Sequence, residues 1–392
     1  MTGECTPGYW WPFVARVLAL DPAARDITQT LCGPALADTV ASFIQLGRSD
    51  LEVDRRKLLT ASSGYALAAL GLPDPDSITR RVNSTPAHAV RVGCGEGAAI
   101  KTMVKSLGDS AAELGGGHAR HLAVSYLTED VAPWLNGTFT QATGRELFAA
   151  ASQLAHLAGW MAQDEGDSPE LQGLAQHYCA HSYRLAAEAG ERELAATALR
   201  GLAVQCIDLG YRAEAVQLSE ACVTYDRDLD NLRAVAYYNA TLANAAAQDN
   251  DRRLASQHLA LAETAIGRPQ PGPTDSWAAH YSPGRWAHET GMILNRLGDL
   301  TGAEEHLLLA LDFHGLDRRR TRAIVTADLA GVRLRQGNTD DALAGWTDFL
   351  DCAEGVRSVK ISSALHDMSI RLLRFPGTPE AQQLRERAAS FA

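Results

Sequence analysis

The sequence predicts an all-α protein, an α-solenoid in which antiparallel helix pairs stack along a right-handed superhelix that an N-terminal helical segment precedes. Large apolar and small side chains recur at three- and four-residue spacing over most of the chain beyond residue 143, as in amphipathic helices. Polar turns that carry glycine or asparagine separate these stretches. Alanine, the strongest helix former, is abundant, whereas aromatic residues make up only 6% of the chain.

Five turns mark the repeat, at Gly166, Gly210, Asn250, Gly298 and Gly337. By subtraction, successive turns are 44, 40, 48 and 39 residues apart. At three of them glycine occupies the turn, where a positive φ is expected, and alanine follows where the second helix must approach the first closely. The period exceeds the roughly 34-residue tetratricopeptide unit but has the same helix–turn–helix form. The predicted solenoid is therefore tetratricopeptide-like.

The array is expected to begin near Thr143 and to contain five helix pairs and a closing pair. The pairs are 143–164 with 169–189, 191–209 with 212–226, 230–248 with 251–266, 284–297 with 300–314, 318–336 with 339–353, and finally 357–374 with 378–390.

Three regions are predicted along the chain. Residues 1–52 form a short N-terminal helical segment, and residues 53–135 a helical region with helices at about 98–115 and 118–135. Residues 136–392 form the array, with a proline-rich insert at 267–283. The glycine-rich run at 93–97 has no strand before it, so a flexible lead into the next helix is favoured over a nucleotide loop.

Composition and charge exclude several classes of function. The net charge of −11 makes the chain a poor electrostatic partner for DNA. The seven cysteines form no C-x-x-C motif, which favours reduced thiols and a cytoplasmic protein. No run of about 18 apolar residues predicts a membrane helix.

No group of residues predicts a catalytic, metal or cofactor site. His177 and His181 share a helical face but lack a third ligand, so outward polar positions are favoured over zinc. His118 and His121, with Arg120, could bind an anion, although packing between the two halves is the simpler interpretation.

Acidic pairs such as Asp164 with Glu165 are expected in solvated turns. The basic run at 318–322 is interpreted as a solvated helix start capped by Asp317 rather than a polyanion site.

The predicted ligand site lies on the concave face. First helices of stacked pairs line that face in helical-repeat proteins, and extended peptides or partner segments bind there. Asn239 and Asn244 lie inside helices although asparagine is a poor helix former, which suggests hydrogen bonds to a bound chain. The aromatic members could instead belong to the core between repeats. The predicted residues are His156, Trp160, Gln205, Tyr237, Tyr238, Asn239, Asn244, Trp286, Glu289 and Asn295.

Several ordered motifs resemble a known family. They are LGRxxLxxxRRxLL at 46–59, GGGHARH at 115–121, DVAP at 130–133, ATGR at 142–145, LxxLAGWMAxD at 154–164, LAQxY at 174–178 and EGVRS at 354–358. Together they resemble the tetratricopeptide-like transcriptional regulators of filamentous bacteria, which are linked to antibiotic production and development. Members of that family commonly begin with an Xre-type helix-turn-helix, and no such domain is recognisable here.

The resemblance implies a non-catalytic regulatory protein that binds a peptide, a protein or a small signal on its concave face. Control of secondary metabolism or development is the expected role, and direct DNA binding by this chain alone is not expected. Two alternatives stay open: a biosynthetic enzyme or scaffold that uses a cavity in the array, and a DNA-binding regulator with a truncated N-terminus. No cofactor or membrane partner is expected, and a homodimer is compatible with exposed terminal helices.

Overall fold

The computed structural model describes residues 38–51, 70, 73–84, 89–224, 229–269, 277–313 and 318–391. Regular structure in these ranges is helical, apart from one isolated parallel bridge between Arg91 and Thr138, which confirms the all-α prediction for them. The predicted helical segment up to residue 37, residues 52–59 of the LGRxxLxxxRRxLL motif and Asp317 as a cap lie outside these ranges. None of the helices described here has the length and apolar character needed to span a bilayer.

The N-terminal helices are α1 (Thr39–Leu51), α2 (Ser77–Ser84), α3 (Cys94–Leu114), α4 (Gly116–Tyr126) and α5 (Ala132–Leu135), with a π-helical turn, Leu127–Val131, joining the last two. The flexible lead predicted at 93–97 is wrong, because α3 already begins at Cys94. The Glu96 carboxylate accepts the Gly93 N–H at 2.9 Å and so caps the first turn.

All the predicted array helices are present, with ends shifted by a few residues. They are α6 (Gln141–Glu165), α7 (Pro169–Ala189), α8 (Arg192–Leu209), α9 (Arg212–Thr224), α10 (Leu232–Gln248), α11 (Arg252–Ile266), α12 (Pro283–Leu297), α13 (Leu300–Phe313), α14 (Arg319–Gln336), α15 (Thr339–Ala353), α16 (Val359–Leu372) and α17 (Pro379–Ala389). Each first helix packs against its own partner and against the neighbouring pairs.

Left-handed backbone ends the helices where the sequence predicts it. Gly210, Gly298 and Gly337 have φ of 80°, 89° and 93°, and Asn250 has φ of 65°. Gly166 differs, because its φ of −174° is extended. At that turn Ser168 caps α7 by accepting the Leu171 N–H at 3.3 Å.

The N-terminal helices share a hydrophobic core with the first array pairs. Phe43 of α1 is fully buried, and its ring packs edge-on against Tyr178 of α7 at 6.4 Å between centroids. The His181 ring centre lies 5.8 Å from that of the same phenylalanine, and His181 is buried. The outward position expected for His181 is therefore wrong. Arg120 of α4 is buried and forms ion pairs with Asp50 and Glu165 between the two halves, whereas His118 and His121 are exposed, so the packing interpretation is wrong for the two histidines.

A polar junction joins the start of α4, the end of α6, and the starts of α14 and α16. The Asp164 side chain, 3% exposed, accepts hydrogen bonds from the Gly116 N–H at 2.9 Å and the Ser358 hydroxyl at 2.8 Å. Arg320 completes it with an ion pair to Asp164, and its Nε donates at 2.9 Å. Asp164 is therefore not in a solvated turn, contrary to expectation.

The basic run belongs to the same region. Arg319 donates to Glu113 of α3 through its backbone N–H and its Nε, both at 2.9 Å. The Arg320 guanidinium also lies 5.3 Å from the centre of the Trp160 ring. The helix start predicted for this run is correct, because α14 begins at Arg319. The solvated position is wrong for Arg320, whose side chain is 13% exposed and pairs with Asp164.

Gly115 provides a stability test of the junction. It has φ of 94°, and a Cβ there would overlap the carbonyl oxygen of Arg357, whose N–H donates to Leu114 at 2.8 Å. We expect Gly115→Ala to lower the free energy of unfolding by about 3 kcal/mol, since strain and overlap add. Gly190→Ala is the control, with φ of 81° but open space around it, and about 1 kcal/mol is expected. Urea unfolding measures both, and equal losses would contradict the close contact.

Candidate functional site

The first helices of the pairs, α6, α8, α10, α12, α14 and α16, form a layer that we call the inner helices. Side chains reach between inner helices that are not neighbours in the array. Arg200 of α8 bonds to Glu289 of α12 at 2.7 Å, and Lys360 of α16 bonds to Asp208 of α8 at 2.5 Å. These contacts bring facing sides of α8, α12 and α16 together.

Part of this side is a polar and aromatic group that we call the arginine cluster, namely His156, Arg200, Tyr237, Trp277, Tyr281, Arg285 and Glu289. It draws on α6, α8, α10, α12 and the 3-10 turn Trp277–His280. Glu289 is its acidic member and serves two partners. One carboxylate oxygen pairs with Arg200, and the other accepts the Tyr281 hydroxyl at 2.7 Å.

Aromatic rings fix the positions of both arginines. The Arg200 guanidinium carbon lies 3.6 Å from the centre of the Tyr237 ring, and that of Arg285 lies 5.4 Å from the same centre. The Tyr281 ring packs against Tyr237 at 4.7 Å, with Arg285 5.9 Å from its centre. Cations over aromatic faces are stabilised by the ring quadrupole, so the arginines are held without a carboxylate for each.

His156 lies beside the arginines with an unused nitrogen. It is 5% exposed, its ring packs edge-on against Trp277 at 4.9 Å, and its Nδ1 has no hydrogen-bond partner. Burial, followed by the charges of Arg200 and Arg285, lowers the pKa of His156 to about 3. The imidazole is therefore neutral near pH 7 and can offer its Nδ1 to a ligand.

The structure brings His156, Tyr237 and Glu289 together, and it places the other predicted site residues elsewhere. Tyr238 is buried and bonds to Thr197 and the Glu193 carbonyl, and Gln205 donates to Gln172. Asn239 is satisfied internally, because its amide donates to the Val235 carbonyl at 2.9 Å and its Oδ1 pairs with His258 at 2.8 Å. It therefore has no free amide for a bound chain.

Four predicted residues remain half-buried. Asn244 keeps a buried Oδ1 without a partner, and Trp286 keeps an unpartnered indole N–H while its ring packs on His306 at 5.6 Å. Trp160 packs beside Arg320 at the junction, and Asn295 accepts from Arg335 of α14. They stay predicted binding residues, separate from the arginine cluster as defined.

Sequence reasoning missed Arg200, Trp277, Tyr281 and Arg285. Arg200 carried a detectable signal, because it is a charged residue within the alanine- and leucine-rich stretch 194–207, which forms the buried part of α8. Arg285 also precedes Glu289 by one helical turn, a spacing that puts two side chains on one face. Trp277 and Tyr281 follow the proline-rich insert and gave no local sign of their location.

Chemistry that needs a nucleophile or a metal finds little support among the described residues. Burial raises the pKa of Cys179 to about 12, and burial together with Glu214 raises that of Cys206 to about 12, so both are thiols at neutral pH. Ser152 donates to the Ser182 carbonyl in the core at 2.9 Å. Within the described ranges, no three histidine, cysteine or acidic residues converge as a metal site would require.

Neither a family model nor a curated protein matches this sequence. The resemblance to tetratricopeptide-like regulators consequently stays a prediction.

The lowered pKa of His156 predicts a loss of stability in acid. The unfolded chain binds a proton near pH 6.5 and the folded chain only near pH 3, so the neutral imidazole favours folding above pH 6.5 and this advantage falls with pH. Between pH 7 and pH 5 the loss from this group is about 2 kcal/mol. In urea unfolding, the free energy of unfolding of His156→Gln should therefore fall by about 2 kcal/mol less than that of the parent between pH 7 and pH 5. The exposed control His366→Gln should lose as much as the parent, and identical behaviour of the two variants would contradict the burial argument.

Proposed function

We propose that this protein is a non-catalytic helical-repeat regulator whose inner helices bind a peptide, a protein segment or a small signal. The observation that carries the proposal is the arginine cluster. Five separate elements contribute a buried histidine, two arginines and three aromatic rings to one side, where unpartnered polar atoms remain. Such convergence of a few polar groups among aromatic walls is typical of binding sites.

We propose further that the pairs form a tetratricopeptide-like right-handed superhelix. The helix lengths, the left-handed turns at Gly210, Gly298 and Gly337, and the contacts between successive first helices all support it. In such a superhelix the inner helices line the concave face, which agrees with the contacts that link Arg200 to Glu289 and Asp208 to Lys360.

A regulatory role is supported by where the family-like motifs lie. GGGHARH contributes Gly116, LxxLAGWMAxD contributes Asp164, and EGVRS contributes Ser358, and all three residues meet in the polar junction. Motifs far apart in sequence therefore share one structural task. This supports the proposed kinship with regulators of secondary metabolism and development, and with it a cytoplasmic location.

The proposed mechanism is a shift between conformational populations. Helix α6 carries His156 of the arginine cluster and, about two turns further on, Asp164 of the polar junction. A ligand that binds one arrangement of the inner helices more tightly also stabilises the junction state that goes with it. The surface shown to a downstream partner then depends on ligand occupancy.

Photo-crosslinking in cells of the source organism tests the binding function. A benzoylphenylalanine at Trp277, a half-exposed member of the arginine cluster, is compared with one at Leu308 on the outer helix α13. We expect a discrete adduct only from position 277, and its loss when an unlabelled copy of the protein is overexpressed. Adducts of equal yield and identity at both positions would overturn an inner binding face.

A further inference from the structure

We infer that the arginine cluster recognises a carboxylate, carried either by a peptide C-terminus or by a small organic acid. The inference rests on the proposed binding function and names the chemical class of its ligand. It is independent of the regulatory pathway.

The first argument is charge. Arg200 is buried, with 8% of its side chain exposed, and Arg285 lies beside the same tyrosine, whereas Glu289 is the single carboxylate of the cluster as defined. Buried charges are costly unless paired, and the two rings compensate the arginines only in part. The cluster thus carries more positive than negative charge, and Arg233 adds to the excess because its guanidinium donates to the Tyr281 carbonyl at 2.7 Å, so an anionic ligand would be attracted.

The second argument is the unused hydrogen-bonding capacity. The Nε of Arg200 and the Nδ1 of His156 are both buried and have no partner. A neutral imidazole can carry its proton on Nδ1, and an arginine Nε always carries one, so both can donate to a carboxylate oxygen. Charge-assisted bonds from arginine to carboxylate are among the stronger hydrogen bonds in proteins.

The cluster suits a carboxylate better than a phosphate. Glu289 already lies in the cluster, and its carboxylate would repel a phosphate dianion more strongly than a carboxylate monoanion. The walls made by Trp277, Tyr237 and Tyr281 suit an apolar group next to the acid. Arg285, Trp277 and Glu289 are only half-buried, so the cluster reaches the protein surface on their side.

Calorimetric titration of the full chain tests the inference. The probes are benzoate with benzamide as its neutral counterpart, and one apolar tetrapeptide prepared with a free and with an amidated C-terminus. We expect at least one acid to bind at least tenfold more tightly than its amide. Preference for both acids indicates shared carboxylate chemistry, and preference for one identifies the source as an organic acid or a peptide terminus.

Variants establish where the acid binds. Arg200→Gln and Arg285→Gln should each weaken binding of the preferred acid by about 10- to 100-fold, while Arg253→Gln, on an exposed position of α11, leaves it unchanged. Glu289→Gln should tighten binding, because it removes the competing carboxylate. Either arginine variant can locate the acid, provided that circular dichroism shows that the variant is folded.

Three outcomes would overturn the inference. They are equal affinity for each acid and its amide, no binding of either acid up to the highest concentration at which the protein stays folded, and stronger competition by inorganic phosphate than by the acids. Each of these outcomes leaves the proposal of an inner binding face standing if the crosslink at position 277 persists. Loss of that crosslink would instead remove the proposed function itself.

Discussion

Replacing Arg120 by methionine is expected to lower the free energy of unfolding by about 3–5 kcal/mol. Arg120 pairs with Asp50, whose side chain is 0% exposed, and with Glu165. Methionine fills similar space, but among the described residues it leaves Asp50 with the Tyr178 hydroxyl alone, which donates at 3.0 Å. An isolated charge would then remain in the core between the N-terminal helices and the array. Urea unfolding at pH 7 measures the loss.

Arg371→Met is the matched control for that variant. Arg371 pairs with Asp367 one turn away at 2.6 Å, and both side chains are exposed enough for water to screen them. Exposed pairs of this kind contribute less than about 1 kcal/mol. The double variant Arg120→Met with Asp50→Asn should recover part of the loss, because it removes the stranded charge. Similar losses for Arg120→Met and Arg371→Met would contradict the interpretation of Arg120 as a buried link.

Replacing Asp164 by asparagine is expected to destabilise the fold by about 3 kcal/mol and to loosen the polar junction selectively. The change removes the charge that holds Arg320 and one acceptor among those used by Gly116 and Ser358. Arg320 would remain largely buried without its carboxylate. Amide hydrogen exchange should become faster at residues 113–121 and 354–362, which meet at Asp164, than in the core of α10.

Asp351→Asn is the control for the junction. Asp351 accepts from Arg387 at 2.6 Å, but both side chains are well exposed, so a change below about 1 kcal/mol is expected. If Asp164→Asn speeds exchange uniformly along the chain, the junction is not a separate unit. If it changes neither exchange nor stability, Asp164 does not hold the two regions together.

The array helices could be predicted because the information for them is local. The turn at Gly298 needs a residue with left-handed backbone, whatever the position of the rest of the chain. Amphipathic spacing over about a dozen residues is enough to predict a helix. The prediction of a flexible lead at 93–97 is wrong for a local reason too. Glycine content disfavours a helix start there, whereas Glu96 supplies the capping that allows α3 to begin at Cys94.

The candidate site could be predicted only in part, because it depends on how the superhelix curves. Arg200 and Glu289 are 89 positions apart, and Asp164 and Ser358 are 194 apart. Helical spacing states which face a residue occupies but not which distant helix meets that face. Asn239 illustrates the limit, since a buried asparagine in a helix suits a bound chain and suits His258 equally well.

The most direct test of the central claim, that the arginine cluster binds a carboxylate, is the ring-nitrogen NMR spectrum of His156 during a benzoate titration. His156→Gln identifies its signals. We predict that the Nδ1 signal moves to a hydrogen-bonded position and saturates with the affinity found by calorimetry, while the signals of the exposed His366 stay unchanged. Benzamide should leave His156 unaffected. If benzoate binds without moving the His156 signals, or moves only those of exposed histidines, the carboxylate binds elsewhere and the claim is wrong.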